Sequence, residues 1–218
     1  MGYDMYMVSP KQEYTDCLQR WRDEFDRLCE VRDAIPKSAE GTYKHGKGVE
    51  VTPTGGSDAW RKAAQDVLTH FGKRQQRGEI KPDYRLSIWG MGNVREIFRS
   101  LGLGYFAAYE EKFPPYPGEE HIDDTGDASV GIADIGREYI AKRDEILRYR
   151  EQGVRGINLN KFCSNDGWLV TPEECSDVAE LYGQLKANGH QFDAEHDYVE
   201  RFIEWIIAAK DCGGFRVC

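Results

Sequence analysis

The 218-residue chain carries 38 acidic against 29 basic side chains, a formal net charge of −9, with 40% hydrophobic and 31% charged residues. That balance belongs to a globular protein long enough to bury a real core, and its negative field argues against bulk nucleic acid as a partner. No run of eighteen apolar residues occurs and the first ten residues lack the layout of a signal peptide, so a cytoplasmic protein with no membrane partner is expected.

From the N-terminus, Tyr3 to Val8 alternates as a short strand does, and Pro10 closes it. Tyr14, Leu18, Trp21, Phe25, Leu28 and Val31 then recur at three and four residues, which predicts a helix from Lys11 to Ala34. Residues 37–57 are irregular, with V-E-V-T-P as a brief strand, and Ser57 or Asp58 is placed to cap a helix through Trp60, Val67 and Phe71. Tyr84 to Trp89 reads as the best strand in the chain, turned by G-M-G-N into a helix that carries Val94, Phe98 and Leu101.

Residues 113–134, rich in proline, glycine and acids, read as a long flexible loop. A helix from Ile135 to about Gln152 follows. Thr171-Pro172-Glu173-Glu174 has the layout of a capping box, with proline at the first helical position and Glu174 able to reach back. That helix runs to Gly189, a last one spans roughly Ala194 to Asp211, and Phe215-Arg216-Val217 ends the chain as a strand. The pattern predicts an α+β fold: a mainly helical single domain over residues 1–218, with about six helices and a small sheet of three or four short strands.

The six cysteines (Cys17, Cys29, Cys163, Cys175, Cys212 and Cys218) include no C-x-x-C pair, so free thiols are expected rather than a zinc ribbon or disulfides. The acids of 119–127 do not follow EF-hand order, and no metal site or cofactor is expected. G-x-S-x-G and H-E-x-x-H are absent, and no catalytic residue is assigned. Gly90-x-Gly92 after a strand is a poor dinucleotide fingerprint, because Arg95 stands where a third glycine belongs.

Binding chemistry is better represented. Lys161, Ser164, Asn165, Asp166 and Trp168 lie just before the Thr171 helix start, where free N–H groups and the helix dipole favour an anion. The same stretch is equally a well-made Asn-Asp-Gly turn. Arg85 and Ser87 share one strand face, and arginine's planar fork suits carboxylate or phosphate. Lys73, Arg74, Arg77 and Lys81 form a basic run, and Lys44, His45 and Lys47 a basic loop that would add to it if the two met.

G-Y-D-M-Y at 2–6, R-L-S-I-W-G-M at 85–91, S-N-D-G-W-L-V-T-P-E-E at 164–174 and G-G-F-R-V at 213–217 are together similar to an uncharacterised family of actinobacteria and their phages. That family carries no established activity, so the resemblance implies no catalytic residues. It marks Tyr3, Asp4, Tyr6, Arg85, Trp89, Lys161, Ser164, Asn165, Asp166 and Trp168. Of these Tyr6, Arg85, Trp89, Lys161, Ser164, Asn165, Asp166 and Trp168, together with Arg95 beside the Gly90-x-Gly92 turn, are the ligand-binding candidates, expected to line one pocket for a small anionic, nucleotide-like ligand. A phage setting implies a protein that sequesters a nucleotide immune signal. The alternatives are a hydrolase of such a ligand, with Asp4, Asp166 or Glu173 as base, and an interaction inhibitor using the acidic stretch 117–127. A homo-oligomer stays open.

Overall fold

The computed structural model describes residues 2–45, 51–75, 78–108, 114–115 and 134–218. In chain order the elements are β1 (Gly2–Met7), α1 (Gln12–Asp33), β2 (Gly41–His45), β3 (Val51–Gly55), α2 (Asp58–Gly72), β4 (Asp83–Ser87) and α3 (Ile88–Ser100). They continue with β5 (Gly104–Tyr105), α4 (Asp134–Leu147), β6 (Ile157–Asn158), β7 (Trp168–Val170), α5 (Pro172–Ala187), α6 (Asp197–Ala209) and β8 (Phe215–Val217). The fold is α+β and mainly helical, as the sequence pattern predicts. Most of the 113–134 loop lies outside the described residues. The chain divides into two compact units, residues 11–82 and residues 1–10 with 83–218.

In the larger unit a four-stranded antiparallel sheet has the order β4-β1-β8-β7. Strand alternation places Met5, Met7, Tyr84, Leu86, Val170, Phe215 and Val217 on one face, and all seven are buried. That face meets an aromatic cluster. Tyr84 lies 5.1 Å from Phe202 and 5.6 Å from Trp205, and Trp205 meets Phe215 edge-on at 4.9 Å. Phe162 and Phe98 extend the cluster beyond Phe202. Each such ring pair adds about 0.5–1.5 kcal/mol beyond area burial, and the Tyr84 hydroxyl also donates to the Tyr198 carbonyl of α6 at 3.3 Å. Asp4, Tyr6, Arg85 and Ser87 alternate onto the opposite face.

Two local predictions need correction. The strand expected over Tyr84–Trp89 stops at Ser87, because the Ser87 hydroxyl accepts the Gly90 N–H at 3.0 Å and caps α3. G-M-G-N is therefore the first turns of that helix and not a loop. Gly41–His45 is a strand paired with β3, and the two-residue strands β5 and β6 pair in parallel, none of which the residue pattern announces.

In the smaller unit α1 and α2 pack together, with the first half of α1 beside the last turn of α2. The Trp21 indole N–H donates to the His70 carbonyl at 3.2 Å, and the His70 ring bonds back to the Trp21 carbonyl at 2.9 Å. The β2–β3 hairpin sits at the other end, where Tyr43 packs on Trp60 at 5.6 Å and the Ser57 hydroxyl caps α2.

Gly214 is the residue of the G-G-F-R-V block that the backbone requires. Its φ is +80°, and an added Cβ would lie 2.1 Å from the Val170 carbonyl oxygen. Gly214→Ala is expected to lower unfolding free energy by roughly 1–3 kcal/mol from backbone strain, more where β7 must shift. Urea denaturation of the variant checks this, and unchanged stability would refute the constraint.

Candidate functional site

Lys161 is not a surface donor. Its ammonium is fully buried, 2.6 Å from a Glu174 carboxylate oxygen and 2.7 Å from the Leu169 carbonyl. Glu174 is equally buried, and the same oxygen accepts the Thr171 N–H at 2.9 Å while the other accepts the Asn158 N–H at 3.1 Å. The capping box is thus present, extended inward by a lysine. Burial pushes the Lys161 ammonium below its ordinary range, while the Glu174 charge pulls it back up.

The rest of the Lys161–Glu174 stretch turns mostly on itself. Trp168 donates its indole N–H to the Ser164 hydroxyl at 2.8 Å. Gly167, at φ +80°, donates to the Val217 carbonyl and accepts from Arg216 at 3.1 Å. Asn165 donates to the Gly2 carbonyl at 3.1 Å, and Asp166 is exposed. This is a turn clamped to β8 and β1.

The remaining candidates are scattered. Arg85 faces Asp4 at 3.6 Å on the open sheet face, and Trp89 stands 85% exposed at the start of α3. Arg95 reaches the Phe162 carbonyl at 3.3 Å and the Cys163 sulfur at 3.1 Å. Tyr6 pairs with Asp83 whereas Gly2, Asn165's partner, pairs with Ser87, so Tyr6 and Asn165 sit at opposite ends of β1, roughly 13 Å apart. Arg85 and Asn165 share the Gly2 end. With Lys161, Ser164 and Trp168 engaged internally, the single pocket expected of these residues does not assemble.

A cleft of about 490 Å³ lies instead in the smaller unit, lined by Glu13, Tyr14, Cys17, Arg20, Trp21, His70, Lys73, Glu79 and the backbone at Gly78 and Ile80. Helix α1 supplies Glu13, Tyr14, Cys17, Arg20 and Trp21 on successive turns of one side, the last turn of α2 supplies His70, and Lys73 caps α2. The back wall is rigid. Trp21 is 8% exposed, stacked against Phe25 at 5.3 Å and 14° and against His70 at 5.3 Å and 16°, with the Arg74 guanidinium 5.2 Å from its ring centre.

At the rim, Arg20 and Lys73 are exposed and, among the described residues, neither has an ion-pair partner. Glu79 is countered by the buried Lys81 at 2.9 Å. Two uncommitted cations beside aromatic walls are the chemistry that holds a small anion with a planar body. The C-terminal end of α2 itself disfavours an anion, so these side chains must outweigh it.

The chain matches no family model, no curated protein and no solved structure. The cleft therefore rests on its own geometry. Its basic run was legible at Lys73, but Tyr14 and Trp21 read as part of the apolar stripe of α1. The available signal was Arg20, a cation directly flanking that stripe. The basic loop does not join the cleft at Lys44: the hairpin meets the first turn of α2, and fifteen helical residues, about 22 Å, separate that end from Lys73. Lys47, Arg77 and the acids of 119–127 lie outside the described residues. Among the described residues no cluster of three or more His, Cys, Asp or Glu is placed to hold a metal, no helix is long and apolar enough to cross a membrane, and all six cysteines are free.

Removing one partner of the buried pair leaves the other charge without compensation. Lys161→Met is expected to cost about 3–5 kcal/mol in unfolding free energy, and adding Glu174→Gln to it should recover part of the loss. A double-mutant cycle by urea denaturation measures the coupling; additive effects of the two changes would show that the pair does not act as a unit.

Proposed function

We propose that the protein is a non-catalytic binding protein for a small anionic, nucleotide-derived ligand held in the α1–α2 cleft. The observation that carries this reading is the pairing of two uncommitted cations, Arg20 and Lys73, with the Tyr14, Trp21 and His70 walls in one cleft of about 490 Å³. Two cations without an ion-pair partner at the mouth of one cleft are positioned for charge supplied from outside. The resemblance to actinobacterial and phage proteins adds a setting to the proposal, the sequestration of a nucleotide immune signal.

A hydrolase of the same ligand is the second reading, and one observation favours it: the Glu13 and Glu79 carboxylates line the same cleft. The bases expected from sequence are not there. Asp4 faces Arg85 on the sheet, Asp166 lies in the β8-clamped turn, and Glu173 is held below the ordinary carboxylate range by the Thr171 side chain and its own backbone N–H. The acidic stretch that an interaction inhibitor would use lies outside the described residues.

Thermal shift against nucleotides, cyclic nucleotides and ADP-ribose derivatives, with product analysis of each hit, tests the reading. Stabilisation with the ligand recovered intact is expected, because a ligand that binds only the folded state raises apparent stability; an altered ligand would make the protein an enzyme. For a hit, Arg20→Ala and Lys73→Ala should each weaken binding by about 1.5–3 kcal/mol, while Arg85→Ala leaves it unchanged. The reverse pattern would move the site to the Gly2 end of the sheet.

A further inference from the structure

The His70 ring lines the cleft and uses one nitrogen in a hydrogen bond, which leaves the other without a partner among the described residues. A carbonyl oxygen only accepts, so the 2.9 Å contact between Nε2 and the Trp21 carbonyl requires a proton on Nε2. The ring is further held by its stack on Trp21, and the Trp21 indole bonds back to the His70 carbonyl. His70 lines the cleft, and among the described residues its Nδ1 has no hydrogen-bond partner. Neutral His70 therefore offers a lone pair at Nδ1, and protonated His70 offers a charged N–H there.

Resting on the anion-cleft reading, we infer that His70 Nδ1 is a third donor to the bound anion, so that ligand binding takes up a proton at this ring. No bond is made or broken in the ligand. A proton from solvent joins the Nδ1 lone pair, and the resulting imidazolium donates to an anionic oxygen.

The charges around the ring set the coupling. Helix α1 faces it with Glu13, Tyr14, Cys17 and Arg20 from the cleft and with Glu24 alongside, whose carboxylate is bound by Arg27. Lys73 and Arg74 follow on its own element, and Glu79 faces it from the 78–80 segment. Carboxylates and cations both face the ring, and an anion held between Arg20 and Lys73 adds negative charge beside it, so it draws a proton onto the ring. By linkage the proton in turn tightens the anion. The protonated form binds more strongly, so affinity is high at acid pH and falls as pH rises through the range where imidazole discharges.

Sulfate is a suitable probe because its own charge stays at −2 across that range. In an NMR titration at constant ionic strength, following the Trp21 indole N–H, sulfate affinity is expected to fall about tenfold between pH 5.5 and pH 8. Calorimetry in two buffers of different ionisation enthalpy should show net proton uptake at the lower pH. His70→Gln keeps an N–H that can reach the Trp21 carbonyl, and it should bind sulfate with the weak, pH-flat affinity of the wild type at pH 8. Lys73→Gln should bind more weakly at every pH and keep the slope. Saturable binding by the wild type with no pH dependence and no proton uptake would overturn the role of His70 and leave the anion cleft standing. No saturable binding at any pH would sink both. A slope that survives His70→Gln would assign the proton to another group and overturn this inference alone.

Discussion

One carboxylate, that of Glu174, organises the larger unit. It accepts the Lys161 ammonium and the Thr171 N–H on one oxygen and the Asn158 N–H on the other. The Lys161 ammonium continues the chain of contacts to the Leu169 carbonyl. Four chain segments are thereby pinned at one point: the end of β6, the turn over Leu159–Phe162, the strand β7 and the first turn of α5. A buried ion pair is poor evidence of net stability, since removing two charges from water offsets most of their attraction. What it supplies is specificity. Any alternative placement of β7 or α5 leaves a buried charge alone, and that alternative is disfavoured by several kcal/mol.

The rest of the unit follows from this anchor. With β7 and the start of α5 fixed, the turn between Lys161 and Trp168 has its two ends set, and its polar groups are used to close it against β8 and Gly2. Its density of serine, asparagine, aspartate and glycine is the chemistry of a turn that must bond its own backbone. The aromatic cluster of α6 then covers the sheet face that β7 and β8 complete. The Lys161, Ser164, Asn165 and Trp168 groups are thereby used in holding the turn.

How much was legible follows from the range of each interaction. The helices were, because their apolar periodicity is local, and so was the capping box, whose partners stand three residues apart. The end of β4 was missed because a serine at its last position reads equally as a strand residue and as a helix cap, and only the Ser87–Gly90 bond decides between them. Lys161 was misread for a different reason. Lysine is almost never fully buried unless paired, and its partner is thirteen residues away, at a position already explained by capping. The cleft escaped because its two walls meet through residues 49 apart in sequence, Trp21 and His70. Periodicity marks Trp21 as core, and it is core; the open space lies one and two turns before it, at Cys17 and Tyr14.

Ion pairs hold segments in both units, with Arg27 on Glu24, Arg32 on Asp33 and Arg61 on Asp58 in the smaller. In the larger unit cations are drawn into protein partners: Lys161 to Glu174, Arg150 to Asp177, Arg155 to Asp177 and Glu180, and Lys186 to Glu200. These contacts consume charge to hold segments in place. At the α1–α2 cleft two cations are not used in this way. The carboxylate of Glu79 is countered by a buried lysine, the Trp21 ring is braced by Arg74, and Arg20 and Lys73 are left over at the rim. An acidic chain repels an incoming anion at long range, yet that repulsion is screened beyond about 8 Å at physiological ionic strength. Inside that distance the local pair of cations governs. In the proposed reading, such a cleft would select its ligand by short-range contact rather than by long-range steering.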